Sequence, residues 1–393
     1  MSMTSPKPLA GIRVLELARI LAGPWCGQNL ADLGADVVKV ERPGAGDDTR
    51  SWGPPFVEAE AGGDLSAGYY HATNRGKRSI TVEMDTPEGQ ATIRRLASKA
   101  DILLENFKVG GLKKYGLDYA SLSALNPRLI YCSVTGFGQD GPYAHRGGYD
   151  FMIQGMSGIM SITGEPEGEP MKTAVAFADV FTGMYATTAV LAALQGRQNT
   201  GRGCHIDMAL FDTQIAVMGN QAMIQLLTGA PPPRFGNAHS SVVPYQVFPT
   251  SDGHIVIACG NDGQFRRLCG VLGTVWADDE RYATNPARIV HRGTLIPLLM
   301  AETAKWTKAD LLAAFEREVV PAGPINTLPE VFADPQVIHR RMTFDLDEPA
   351  AKGGKVPTLR GPIVVDGEPM VGRTASPGLG QHTDEVLADP NWS

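Results

Sequence analysis

The sequence predicts an α/β protein with a parallel-sheet large domain and a smaller α+β domain, and three observations carry that prediction. Short aliphatic runs alternate with helix-length segments through the N-terminal half, and Pro, Gly and Ser concentrate near residues 229–250. The 393-residue length exceeds the roughly 250–300 residues at which a single core usually stops growing.

The elements follow in order. IRVLEL (12–17) reads as a strand, GPWCGQNLADLG as a short helix ending in glycine, and DVVKVER (36–42) as a second strand, which completes one βαβ unit. RSITVEM is the next strand, TPEGQATIRRLASKA a helix with Thr86 as its N-cap, DILLENF a strand, and LIYCSVTGF another after a helix ending at Asn126-Pro127. Residues 148–163 and 180–195 read as apolar helices, and CHIDMAL (204–210) as one more strand. The expected boundaries are 1–228 for the N-terminal part of the large domain, 229–325 for the small domain with its linkers, and 326–393 for a turn-rich stretch returning to the large domain.

Composition excludes several classes. Hydrophobic residues make up 43% and charged residues 20%, an ordinary balance for a soluble globular chain. The net charge of -7, without a Lys/Arg block, argues against nucleic acid as a partner. Five scattered cysteines with no C-x-x-C pair indicate neither a disulfide framework nor a zinc site, and they fit a reducing cytoplasm. The N-terminus lacks a signal-peptide pattern, and no run reaches the roughly 18 apolar residues of a membrane span.

Several stretches are candidates for chemistry. ARILAGPWCG, the first βα turn, offers backbone N–H groups that can cradle an anion, or it is simply a tight turn before the helix-starting Pro24. G-x-G-x-x-G is absent, and Arg42 follows Glu41 directly, so a dinucleotide site is disfavoured. ERPGAGDDTRSWGPPF (41–56) carries Arg42 and Arg50 on a loop at a strand's C-terminal end, where guanidinium forks suit phosphate or carboxylate. In NRGKRS, Arg75, Lys77 and Arg78 read as a solvated edge. Asp150, in RGGYDF, reads as an N-cap. RFGNAHSSVVPY (234–245) is a loop of the kind that closes over a ligand, with residues 236–241 as the candidate lid and His239 as a polar contact or a surface histidine. Dispersed histidines give no metal pair, and no G-x-S-x-G elbow occurs. Asp179, alone in the apolar TAVAFADVFTGMYA (173–186), has two readings that can hold together: a helix cap, and a poorly solvated nucleophile.

Many ordered motifs then carry a resemblance: GIRVLEL…AGP, DLGADVVKVERPGAGDDTR, NRGKRS, LLENF, YCSVTGFGQDGPY, GGYDFMIQGMSGIMSITG, AFADVFTGMYA and GRGCHIDMALFD. Together they resemble the class III CoA-transferases, the family of formyl-CoA transferase and carnitine CoA-transferase, over nearly the whole chain. The 41–56 loop, GNAHSSVVPYQVF and the GPIN segment look most like the branch using succinyl-CoA with glutarate or hydroxymethylglutarate. The resemblance implies a Rossmann-like large domain, an interlocked homodimer and covalent catalysis by Asp179 through an aspartyl-CoA intermediate. CoA enters as a substrate, and no prosthetic group is implied. The implied CoA contacts are Leu21, Ala22, Arg42, Val82, Glu83, Met84, Asp85, Asn106, Phe107, Lys108, Lys114, Tyr149 and Asp150. Two positions depart from the family pattern, Leu21 for a glutamine and Lys114 for an arginine. For a dicarboxylic acceptor, Arg19 and Arg50 are the candidate cations and His239 a candidate donor. The same fold serves 2-methylacyl-CoA racemases, but GGYD places Tyr149 where they carry a histidine, and a phenol is a poor proton exchanger at neutral pH. A racemase or isomerase and a non-catalytic CoA-binding module are the alternatives.

Overall fold

Six parallel strands organise the first unit of the computed structural model, which describes residues 7–392. They are β1 (Arg13–Glu16), β2 (Asp36–Glu41), β3 (Arg78–Thr81), β4 (Ile102–Glu105), β5 (Ile130–Thr135) and β6 (His205–Ala209). Their order across the sheet is β3-β2-β1-β4-β5-β6, the doubly wound order of a Rossmann-like sheet. Register is set by pairs such as Val14 with Val37 on one side and Val14 with Ile102 on the other. Both faces are covered, so the strands are near-continuous apolar runs. Along β4, Ile102 and Leu104 enter one core cluster while Leu103 enters the other.

Four helices matter for the site: α1 (Ala22–Asp32), α2 (Pro87–Lys99), α3 (Asp150–Ser157) and α4 (Phe177–Thr200). Thr86 caps α2 as expected, its hydroxyl accepting the Gly89 N–H at 3.1 Å. The expected 148–163 helix is broken in two: α3 stops at Gly158, which adopts φ 95°, and a further helical turn follows at Ile159–Ile162. The α4 helix is longer than expected, at 24 residues, and by length and composition it could cross a bilayer. Here it packs on α1, β5 and β6 instead, and its buried Arg197 pairs with Asp101 at 2.9 Å.

The first unit comprises residues up to 159, 172–229 and 336 onward. Its C-terminal stretch is bound into the sheet's surroundings: His382 Nδ1 accepts the Ser79 N–H, and the buried Trp392 indole donates to Asp36 at 2.8 Å. The second unit comprises residues 160–171 and 230–335. The short 160–171 piece gave no sequence signal of its own, because a polar Gly/Pro run looks alike in either unit. Arg234 holds it, donating to the carbonyls of Glu165, Pro166 and Gly168. This unit is built on three antiparallel strands, Tyr245–Thr250, Gly253–Ala258 and Ala322–Pro324, over a core that includes Phe248, Ile257, Phe265, Leu299 and Phe315.

Candidate active site

Strand order reverses between β1 and β4, and in open α/β sheets ligands bind in the crevice at such a switch point. Here the two loops leaving these strands are tied together. Asn106, just past β4, accepts the Arg19 N–H at 2.9 Å and donates to the Arg19 carbonyl at 2.7 Å. The next residue, Ile20, sits at φ 72°, a conformation that β-branched residues avoid at a cost of about 1–3 kcal/mol. Its N–H is received by the Asp47 carboxylate at 3.2 and 3.3 Å. The turn ends at Leu21 and Ala22, both buried, where α1 begins.

Asp179 is the third residue of α4, so it lies inside the first helical turn. The capping role belongs to another residue. Asp150, at the start of α3, accepts the N–H groups of Ala178 at 2.8 Å and Asp179 at 3.4 Å. Gln154 Nε2 holds the other Asp150 oxygen at 2.7 Å. Gly183, one turn after Asp179 on the same helix face, lets α4 seat against the first βα turn, since a Cβ there would stand 2.7 Å from the Ala22 carbonyl oxygen. Asp179 consequently accepts a hydrogen bond from the Ala22 backbone. Burial, then the neighbouring Asp150 charge, push the Asp179 carboxyl up to about 7 against the opposing pull of that bond. A carboxylate so weakly solvated is a reactive nucleophile once ionised.

One cavity opens beside this turn and another at the end of β4. The first, of about 240 Å³, is lined by residues 82–85 together with Arg19, Arg42, Phe107 and Tyr115. Arg42 is exposed there and has no ion-pair partner among the described residues. The other, of about 340 Å³, is lined by Lys108, Lys113, Glu105, Ser133 and His205. Burial pushes the Glu105 carboxyl up to about 6, although Ser133 and the Phe107 N–H bond to it.

Comparison with known proteins settles the family. The model of CoA-transferase family III matches residues 9–383. The chain belongs to that family. It is 59% identical over 383 residues to a succinate–glutarate CoA-transferase of Agrobacterium fabrum, covering 97% of this chain and 95% of the relative. It is 41% identical over 389 residues to a human succinyl-CoA:glutarate CoA-transferase, covering 98% and 87%. The crystal structure of a CAIB/BAIF family protein from Brucella suis superposes with a TM-score of 0.85 at 55% identity, covering 98% of this chain and 99% of that one.

For this family III chain the fold gathers most, but not all, of the residues singled out from sequence. Leu21, Ala22, Asn106, Asp150 and Asp179 meet around the first turn, while Arg19, Arg42, Val82, Glu83, Met84, Asp85 and Phe107 line the first cavity. Lys108 lines the second cavity. Lys114 is exposed, its ammonium 4.3 Å from the Tyr115 ring centroid, and Tyr149 is 69% exposed. His239 and the 236–241 loop belong to the second unit, where His239 Nδ1 accepts the Ser241 N–H.

Four expectations are revised. Arg50, expected as a cation for the acceptor, is engaged within the protein: its fork grips both Glu41 oxygens, at 2.8 and 2.6 Å, and its Nη2 also reaches the Tyr70 hydroxyl and the Pro377 carbonyl. Asp179 is not the cap of its helix, and Asp150 caps α4 rather than its own. The NRGKRS cations are not a solvated edge, for Arg75 and Lys77 are buried, Arg75 on Asp32 and Lys77 on Glu16.

One residue was missed altogether. Tyr69 packs edge-on against Trp52, with ring centroids 5.4 Å apart. Burial and then the charges of Asp179, Asp150 and Asp47 push its phenol up to about 12, so it keeps its proton at neutral pH. GYYH (68–71) carries no motif, and only the fold brings it to the turn.

Proposed function

We propose that this CoA-transferase moves CoA from succinyl-CoA to a short dicarboxylic acid, glutarate foremost, through an aspartyl-CoA thioester on Asp179. The observation that carries the reading is the Asp179 carboxyl itself, raised to about 7 and held by the Ala22 N–H at the switch point of the sheet. The names of the A. fabrum and human relatives support the donor and acceptor.

Each step balances without water. Asp179 attacks the thioester carbonyl, giving a mixed anhydride and CoA thiolate. The thiolate attacks the aspartyl carbonyl, releasing succinate and forming the aspartyl-CoA thioester. The acceptor carboxylate attacks that carbonyl and expels thiolate, which then attacks the acyl carbon of the new anhydride, restoring Asp179 and releasing the product CoA ester. The Ala22 N–H, bonded to Asp179, stabilises the oxyanions. Arg42 takes a CoA phosphate. Arg19 takes the acceptor's distal carboxylate, exchanging an exposed ion pair with Asp48 that is worth about 0–1 kcal/mol.

The working form is an interlocked homodimer in the cytoplasm. Support for the dimer comes from large apolar side chains left exposed on one chain, Leu226 and Leu227 among them at 76% and 79%. Five free cysteines suit a reducing compartment. Incubation with succinyl-CoA alone, followed by hydroxylamine, tests the reading: a hydroxamate at residue 179 supports transfer, and its absence with solvent deuterium entering a 2-methylacyl-CoA points to racemisation instead.

A further inference from the structure

A cluster of buried ions that the transfer chemistry does not consume lies under the first βα turn. Glu16, Lys39, Asp47 and Lys77 are each 2% exposed or less. Lys39 Nζ bonds Glu16 Oε1 at 3.1 Å and Asp47 Oδ2 at 2.9 Å. Lys77 Nζ bonds Glu16 Oε1 and Asn74 Oδ1, each at 2.9 Å. Two cations and two anions leave the cluster neutral, yet apolar residues of equal volume often serve stability as well or better. Stability alone does not account for it.

What the cluster holds is backbone. Lys39 donates to the Ala18 carbonyl at 2.8 Å, Asp47 receives the Ile20 N–H, and Lys77 donates to the Pro24 carbonyl at 2.9 Å. These three atoms bracket Ala22, whose N–H is bonded to Asp179. The turn also contains the strained Ile20, and strained backbone persists only where its surroundings over-determine it. Space for the cluster is built in: a Cβ on Gly27 would fall 1.8 Å from Glu16 Oε2, so α1 carries glycine where the carboxylate stands.

We propose that Glu16, Lys39, Asp47 and Lys77 are positioning residues for CoA transfer, clamping residues 18–24 at three backbone atoms so that the Ala22 N–H is fixed against the Asp179 carboxylate and the thioester carbonyl it attacks. The proposal rests on Asp179 being the nucleophile. Misplacement by about 1 Å at a reacting group can cost on the order of 100-fold in rate.

The test compares wild type with Asp47→Asn and with the neutral replacement Lys39→Met/Asp47→Leu. The rate of hydroxylamine-trappable adduct formation from succinyl-CoA is measured alongside the equilibrium affinity for CoA. The expected result is a rate lower by about 30- to 100-fold with CoA affinity changed less than about threefold, a split that a general loss of fold does not produce. A folded variant that forms adduct within about threefold of the wild-type rate overturns the clamp. Hydrogen exchange in the wild-type protein needs no variant: the peptide spanning residues 18–24 should be protected like the sheet, and exchange as fast as an exposed loop overturns the proposal. Absence of adduct in wild type sinks the Asp179 reading instead, and leaves the clamp to be judged by exchange.

Discussion

Asp179 and Asp47 flank the same turn, Asp47 buried and Asp179 half-buried, and they are driven in opposite directions. Burial raises both, but around Asp47 the Lys39 ammonium and the Thr49 N–H and hydroxyl overcome it and hold the carboxyl down at about 2. Around Asp179 no cation answers, Asp150 adds a like charge, and the carboxyl rises to about 7. Burial therefore does not decide what a carboxylate does; its partners do. The saturated one holds backbone, while the deprived one is left available for chemistry.

Removing the deprived carboxylate gives the largest effect. Asp179→Asn should lower turnover by on the order of 10⁴-fold or more and abolish the hydroxamate, read by steady-state assay and peptide mass. In the saturated region the loss should instead be stability. Arg50→Ala strands Glu41 and should cost about 3–5 kcal/mol in denaturant unfolding, with the acceptor KM unchanged. If that KM rises while stability holds, the division between the two regions fails.

The like charge beside Asp179 can be removed while its cap is kept. Asp150→Asn can still accept the Ala178 N–H, so the pH–rate profile of adduct formation, rising through about 7 in wild type, should keep its shape and move its midpoint lower. A smaller effect is expected at Arg19, where Arg19→Ala should raise the acceptor KM several-fold and leave the KM for succinyl-CoA near its wild-type value. The smallest lies in stability. Asp179 binds its proton more tightly folded than unfolded, so its ionisation withdraws stability as pH rises from 3.8 to about 7 and no further above that. Asp179→Asn should accordingly raise the melting temperature by a few degrees at pH 8 and by less at about pH 4.

The parts legible in the sequence are those that repeat locally. Aliphatic runs spaced by amphipathic segments announced the sheet, and Thr86 announced its own helix. The residues of the site were reached through ordered motifs rather than through spacing, which left Asp179 between cap and nucleophile. What stayed hidden depends on distant contacts. Asp150 caps a helix that begins far along the chain, and nothing within RGGYDF points there. Lys77 stands among three charges in six residues, a pattern typical of surface, and is buried only because Glu16 and the Pro24 carbonyl lie opposite it. Arg50 looked like an anion receptor because its partner Glu41 was counted as part of the same loop.

The return of the chain to its first unit also has a consequence for synthesis. Val386 and Trp392 belong to a core cluster of the six-stranded unit, while the second unit draws on nothing beyond residue 335. On the ribosome the second unit can close its core before residues 386–392 are made, and the core of the six-stranded unit waits for them. Until then its sheet is a partly uncovered surface, the interval in which a nascent chain is most in need of a chaperone.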